Sequence, residues 1–332
     1  FPLLQWPFFS FSPHTLVAES AGTILGGIVL KVFPMPGGRR GGLVSWIFTA
    51  PEARGRGVGQ ALADAGLDLL RQEGCDEVFA GVEGYNASSS KLWATRGFSP
   101  LSLGQQIARY GAYLPALWWH TFHLFDVGHF LWACPGADEG AERPTAEWWT
   151  NIALNVLLMA LAIWRFGGLE PATVALIPAV LAFFGARRLA MGWSARREGL
   201  AVRYRAWDSA YLLAAGIALI LGGVFPVPGS LYPIRHDWRY RDESPRLGRM
   251  AAAGGLAVLA LGWLLVGVDR LAPPPAAAEW LGYGVMVAKN VAFFDLVLPF
   301  FPLASFNGRL ILDWNRVVWV LMAAAGLALF LI

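Results

Sequence analysis

The spacing of apolar and polar residues changes along this chain of 332 residues. In the first third, short β-branched runs alternate with polar positions, which is typical of half-buried strands. The alternation predicts a hairpin formed by Leu16–Glu19 and Thr23–Phe33, followed by strands at Leu43–Phe48 and Glu77–Val82. We therefore expect a sheet in the amino-terminal third of the chain.

Helical periodicity follows between and after these strands. Four apolar residues lie at helical spacing behind the third strand: Val58, Leu62, Ala65 and Leu69. Gly74 is placed to end that helix. The run NASSSKLWATRGF predicts a second, short helix closed by Gly97, after which Phe98 returns to the sheet. Strands that alternate with helices indicate an α/β domain.

The rest of the chain consists of long apolar stretches separated by short Arg-rich connections. A helix needs about 20 residues to cross a bilayer. Six candidate spans are predicted: about Trp148–Phe166, Ala172–Met191, Ala210–Tyr232, Arg249–Val268, Trp280–Phe301 and Val317–Ile332. Tryptophan flanks several of their ends, as in an interfacial aromatic belt. Glycine and proline in the third segment leave open whether it crosses fully or is re-entrant.

Composition supports this division of the chain. Hydrophobic residues make up 56% of the sequence and charged residues 15%, against about 25% charged residues in ordinary globular domains. The net charge of +3 comes from Arg in short loops, which favours lipid headgroups over nucleic acid as a partner. Cys75 and Cys134, the two cysteines, indicate neither a disulfide framework nor a Cys-based metal site.

The run RGRGVG at Arg54–Gly59 is the first candidate for chemistry. Glycines let the backbone approach a ligand closely, and the free N–H groups at a helix start point at an anion. The run lacks the Gly-Lys-Ser/Thr of a P-loop and the third glycine of a dinucleotide fingerprint. It therefore predicts a phosphate site of a different kind.

Two motifs together resemble one family. TAPEARGRGVGQAL resembles the acetyl-CoA pyrophosphate loop of the GNAT N-acetyltransferases, and NASSSKLWATRGF resembles a later motif of the same family. The resemblance covers about residues 15 to 105. It implies an α/β GNAT domain, built as a mixed sheet with helices, that uses acetyl-CoA.

The resemblance also implies roles for individual residues. Backbone groups of Ile47, Phe48 and Thr49 would face the pantetheine arm of the cofactor. The pyrophosphate would be held by the following residues: Arg54, Gly55, Arg56, Gly57, Val58, Gly59 and Gln60. Asn86 would hydrogen-bond the cofactor.

The sequence departs from the family in its catalytic residues. The usual general-acid Tyr is replaced by Trp93, whose indole N–H donates a hydrogen bond but does not shuttle a proton. Glu83 is the nearest carboxylate to the expected reaction centre and is a candidate general base, although a solvated loop carboxylate is equally consistent with its position. The opening strand and two helices of the family are nearly absent before Leu16, so we expect a domain that is incomplete at its amino-terminal end.

The second half resembles the site-2-type intramembrane metalloproteases in the order of its elements. In this resemblance Arg187 and Met191 stand where the two zinc-ligating His residues would be, Arg188 replaces the catalytic Glu, and Asn307 replaces the Asp ligand. Zinc needs neutral His or anionic ligands, and hydrolysis needs a carboxylate that activates water. We therefore expect no metal and no proteolysis. A generic six-helix membrane domain is the alternative.

Two other groups of polar residues are candidate sites. Four residues lie at three-residue steps between the two halves: His120, His123, Asp126 and His129. A shared metal is one interpretation, but three-residue steps drift around a helix axis, and an interfacial amphipathic segment is the other. Three residues lie inside the fifth span: Lys289, Asn290 and Asp295. Charges at that depth are either functional or buried in structural pairs.

The sequence thus predicts a GNAT domain over residues 1–105, an interfacial linker over 106–147 and an all-α polytopic membrane domain of about six helices over 148–332. The predicted function is a membrane-bound acetyltransferase that moves an acetyl group from acetyl-CoA to an unknown amine, on a protein or a small molecule. The GNAT domain would lie on the cytosolic side, with the membrane domain as anchor or platform. The alternative is a non-catalytic acetyl-CoA sensor coupled to a membrane pseudoprotease.

Overall fold

The computed structural model describes residues 14–124, 127–136, 144–236, 238–271, 274–300 and 303–332. The chain divides into two compact units. The first comprises Phe1–His123 and His129–Glu142, and the second comprises Leu124–Gly128 and Arg143–Ile332.

A mixed six-stranded sheet forms the centre of the first unit. Its strands are β1 (His14–Ser20), β2 (Thr23–Pro34), β3 (Arg40–Thr49), β4 (Glu77–Glu83), β5 (Ser99–Pro100) and β6 (His129–Cys134). They lie in the order β1-β2-β3-β4-β6-β5. The β3–β4 pair is parallel and the other neighbours are antiparallel. The predicted mixed sheet is confirmed, and so are the hairpin and the third and fourth strands.

Helices cover this sheet. They are α1 (Val58–Gln72), α2 (Ala87–Ala94), α3 (Leu103–Tyr110) and α4 (Leu114–Thr121). Of the four residues whose spacing predicted α1, Leu62 is buried, Val58 and Leu69 are half-buried, and Ala65 is exposed. The buried face of the helix consists instead of Leu62, Ala63, Gly66, Leu67 and Leu70. Gly66 lets α1 approach β2 closely, since an added Cβ would lie 2.8 Å from Cδ1 of Ile28. The first predicted helix is therefore confirmed, with its buried face on the sheet.

The segment expected as a linker, residues 106–147, differs from that expectation. Most of its described part belongs to the first unit. β6 pairs with β4 over six residues, with Val78 opposite Cys134 at one end and Glu83 opposite His129 at the other. This pairing satisfies backbone groups along the edge of β4. Trp118 of α4 donates its indole N–H to Oε1 of Gln106 at 2.7 Å. The expected incompleteness at the amino-terminal end concerns residues that lie largely outside the described ones.

Over its described residues, the second unit is built of helices and one two-stranded sheet. Its helices are α5 (Pro144–Gly167), α6 (Leu176–Arg197), α7 (Tyr211–Gly216), α8 (Tyr240–Asp269), α9 (Pro275–Ala292), α10 (Asn307–Trp314) and α11 (Arg316–Leu331). Single π-helical segments follow α7 at Ile217–Leu221 and α9 at Phe293–Val297. The antiparallel strands β7 (Val202–Arg205) and β8 (Ser230–Pro233) are the exception to the predicted all-α character.

Four helical stretches among the described residues are long and apolar enough to cross a membrane: Pro144–Arg165, Pro171–Arg197, Tyr240–Asp269 and Ala277–Val297. The third and sixth expected spans correspond to shorter apolar helices, Asp208–Leu221 and Arg316–Leu331. The third stops where Gly222 adopts a left-handed conformation (φ 61°). Helix length and apolar composition therefore support four membrane crossings among the described residues, rather than the expected six.

Gly248 of α8 marks a close helix contact within the second unit. A Cβ added at this position would collide with Cβ and Cγ of Trp314, at the end of α10. We expect Gly248→Leu to destabilise the protein by about 1–3 kcal/mol through overpacking. Gly267→Leu on the same helix is the control, because nothing lies within 4 Å of its added Cβ. Leucine is the better helix former, so this control should unfold at an equal or higher temperature. Equal melting temperatures for the two variants would contradict the contact.

Candidate active site

The cleft of the first unit begins where β3 and β4 separate. Their parallel pairing ends at Val44 and Ala80, although β3 continues to Thr49. At the same point the register between β2 and β3 shifts and skips Ser45. A bulge of this kind bends its strand. The last residues of β3 therefore face an opening rather than β4, and their backbone groups are available to an extended ligand.

The loop after β3 supplies the next wall of this cleft. Gly55 and Gly57 have positive φ angles of 74° and 83°, a region that favours glycine. α1 begins directly afterwards at Val58, and the first N–H groups of an α-helix have no partner within the helix. Gly59 lies close to β3, since its added Cβ would be 3.2 Å from Oγ1 of Thr49. The arrangement suits an anion bound by backbone N–H groups.

The resulting cleft has a volume of about 870 Å³, within the usual range for ligand sites. Its lining includes these predicted cofactor-binding residues: Ile47, Phe48, Thr49, Arg54, Gly55, Gly57, Val58, Gly59, Gln60 and Asn86. Arg56 is the one predicted member outside the lining. The residues that sequence reasoning missed are Trp46, Ala53, Ser88, Ser89, Lys91, Leu92 and Thr95. Lys91 adds a second cation to Arg54, which suits an anionic ligand.

Arg96 joins the two helices beside the cleft, and sequence reasoning did not identify it. It donates from Nε to Oδ1 of Asp64 at 2.8 Å and from Nη2 to the carbonyl of Gln60 at 3.2 Å, both on α1. A third bond runs from its Nη1 to the carbonyl of Leu92 on α2, at 2.9 Å. Arg96 therefore fixes the spacing of the helices that line the cleft. Its only sequence signal is its place beside Gly97.

Asn86 has a structural role in addition to the predicted one. Its Oδ1 accepts a hydrogen bond from the backbone N–H of Ser89 at 3.1 Å and caps α2. This is the usual function of Asn at a helix start. Because Asn86 also lines the cleft, the cap holds it beside any ligand. Its hydrogen bond to the cofactor stays a prediction.

The two predicted catalytic side chains lie outside the cleft lining. Trp93 is only 2% exposed, and its ring packs against Phe98 with centroids 5.1 Å apart. It occupies the core because it faces inward from α2. Glu83 ends β4 and pairs in register with His129 of β6. The structure therefore brings together the predicted cofactor residues other than Arg56 and leaves both catalytic assignments as predictions.

The predicted histidine segment does not form one helix. α4 ends at Thr121, and Phe122 adopts a left-handed conformation. The His120 ring stacks on Phe33 at 4.8 Å, and burial together with the charge of Lys31 lowers the pKa of this imidazole. His129 lies on β6, and Asp126 is outside the described residues. Among the described residues, no group of three or more His, Cys, Asp or Glu is placed to hold a metal.

In the second unit, the three residues that the protease resemblance matches to zinc ligands, Arg187, Met191 and Asn307, lie close together. Nδ2 of Asn307 lies 3.8 Å from Sδ of Met191, and both Arg187 and Asn307 donate to the carboxylate of Asp295. Arg188 lies apart, with its guanidinium 4.6 Å from the ring centroid of Trp148. The correspondence by sequence order therefore selected three side chains that are neighbours in space.

Known proteins resemble the two parts of the chain separately. The model of the acetyltransferase (GNAT) family matches residues 1–98. The mycothiol acetyltransferase of Beutenbergia cavernae is 46% identical over 56 residues, 17% of this chain and 19% of that protein. The mycothiol acetyltransferase of Saccharomonospora viridis is 38% identical over 106 residues, 31% of this chain and 35% of that protein.

A different relative matches elsewhere in the chain. The "Putative zinc metalloprotease" of Methanocaldococcus jannaschii is 28% identical over 129 residues, 39% of this chain and 63% of that protein. The chain thus spans less than two thirds of each of these three relatives. The amino-terminal part of this protein is a domain of the acetyltransferase (GNAT) family, fused to a helical region that is similar to site-2-type metalloproteases.

Proposed function

We propose that this protein is a membrane-bound acetyltransferase that moves the acetyl group of acetyl-CoA to an amine. The observation that carries the proposal is the cleft beside β3. It combines an open strand edge, a glycine loop in left-handed conformations and the start of α1. Acetyl-CoA is the cosubstrate of GNAT domains. Its phosphates match the helix start, and its extended arm matches the strand edge.

The reaction follows from the chemistry of the thioester. The amine nitrogen attacks the acetyl carbonyl carbon, the C–S bond breaks, and CoA leaves as a thiolate. A free thiol has a pKa near 8.5, so the thiolate departs without an obligatory acid. The amine loses its proton to water or to Glu83, acting directly or through a water molecule. This route is consistent with the burial of Trp93.

We place the helical region in the bilayer and the GNAT domain on the cytosolic side, where acetyl-CoA is found. Four apolar helices of sufficient length support the first part. Protease digestion of sealed vesicles of known orientation tests the second. The GNAT domain should be cleaved only when the cytosolic face is outside.

Acetyl transfer is tested with the purified full chain in lipid nanodiscs. We expect free CoA thiol to appear when acetyl-CoA is mixed with a panel of peptide amino termini, lysine side chains and small amines. The acetylated product should be detected by mass spectrometry. Acetyl-CoA binding without transfer to any amine would favour the sensor. An absence of acetyl-CoA binding would reject both functions.

A further inference from the structure

A buried cluster in the second unit is centred on the carboxylate of Asp295. This residue is 0% exposed and lies in the π-helical segment after α9. Arg187 of α6 donates to it from Nε and from Nη2, each at 2.9 Å. Two parallel bonds of this kind form the strongest geometry between a guanidinium and a carboxylate.

Other segments join the same cluster. Nη1 of Arg187 donates to the carbonyl of Gly229 at 2.9 Å, just before β8. Asn307, at the start of α10, donates to Asp295 from its backbone N–H at 3.2 Å and from Nδ2 at 2.9 Å. Met191 follows Arg187 by one turn of α6 and lies beside Asn307. The cluster therefore ties together four segments that are spread between residues 187 and 307.

We infer that the guanidinium of Arg187 takes the place of a metal ion, and that its pair with Asp295 is the structural cross-link of this helical region. Arg187, Met191 and Asn307 stand at the positions that the protease resemblance assigns to zinc ligands. Asp295 lies outside that correspondence and supplies the anion. The inference goes beyond the proposed function and is independent of acetyl transfer.

The donor set does not fit zinc. A guanidinium cannot ligate a metal and its charge repels a divalent cation, while both oxygens of Asp295 already accept hydrogen bonds from Arg187. Oδ1 of Asn307 is buried without a hydrogen-bond partner among the described residues. One amide oxygen does not make a zinc site.

The ion pair predicts a specific pattern of stabilities. Removing one partner leaves a buried charge, which is costly, whereas replacing both partners with apolar residues is often tolerated. In thermal unfolding of the full chain in nanodiscs, Arg187→Met and Asp295→Leu should each lower the midpoint by roughly 6–20 °C. The double variant should recover most of that loss.

Arg188→Met is the matched control, because the Arg188 guanidinium lies over the Trp148 and Tyr204 rings. Its effect should add to that of Asp295→Leu without recovery. Single Arg187 and Asp295 variants as stable as the wild type, or a double variant that shows no recovery, would overturn the cross-link.

Metal content tests the replacement directly. Elemental analysis of the wild type should find no stoichiometric zinc in the helical region. The Arg187→His, Met191→His variant places two imidazoles one helical turn apart beside the freed Asp295, a two-His-and-carboxylate set of the kind that binds zinc. It should bind about one zinc per chain, and the Arg188→His, Met191→His control should bind none. Wild-type zinc that is lost on Asp295→Asn would overturn the inference, and so would a zinc-free Arg187→His, Met191→His variant that remains folded.

Discussion

Gly57→Val is expected to weaken acetyl-CoA binding about 100-fold, equivalent to ~2.7 kcal/mol. Gly57 precedes α1 in a left-handed conformation (φ 83°) and lines the cleft. A valine side chain there strains the backbone and blocks a ligand from the N–H groups at the helix start. Hydrogen bonds to charged groups contribute about 1.5–3 kcal/mol each, so losing one or two accounts for the expected effect. Isothermal titration calorimetry on the full chain measures it.

Gly74→Val provides the control for backbone strain. Gly74 also has a positive φ (73°), and an added Cβ at either glycine meets nothing within 4 Å. Gly74 follows the opposite end of α1 and is not among the cleft residues. The two variants should therefore lose similar stability, while only Gly57→Val loses affinity. Equal acetyl-CoA affinity in both variants would reject the assignment of the loop.

Local pattern was sufficient for much of the first unit. Alternation identifies β1, whose residues are half-buried and exposed in turn up to Glu19. The apolar spacing identifies α1 as a helix, although Leu62 is the one residue of that spacing that is buried. The phosphate turn was predictable for a related reason, whereas the roles predicted for Ile47 to Thr49 and for Asn86 came from the resemblance to the GNAT family. Arg54 to Gln60 are contiguous, and glycine leaves a signal wherever the backbone needs a positive φ.

Features that depend on contacts between residues far apart in the chain could not be predicted from the sequence. The residues of β6 were expected in the linker over 106–147, and their pairing with β4 joins residues about fifty positions apart. Arg187 and Asp295 are separated by 108 positions, so no local pattern links them. Nor does any residue type mark the bulge at Ser45. These features are fixed by tertiary packing, which overrides local preference.

Trp93 is a candidate for either a packing role or a catalytic role, and we expect it to stabilise the core. It is 2% exposed and contacts Phe98, so Trp93→Ala should destabilise the protein by about 3–5 kcal/mol through loss of a large buried ring. Trp119→Ala is the control, since this ring is 68% exposed and surface substitutions usually change stability by less than about 0.5 kcal/mol. Chemical denaturation of both variants measures the difference.

Trp93→Phe keeps an aromatic ring in the core and removes the indole N–H. If the thiolate leaves without a side-chain acid, acetyl transfer by this variant should remain close to the wild-type rate, and Trp93→Tyr should match or exceed it. General acid–base assistance is worth about 10²- to 10⁴-fold. If the indole N–H of Trp93 assisted the departing thiolate, Trp93→Phe would therefore lower the rate of acetyl transfer by a large factor. A hundredfold loss of transfer in folded Trp93→Phe, at unchanged acetyl-CoA affinity, would show that the indole N–H takes part in the reaction.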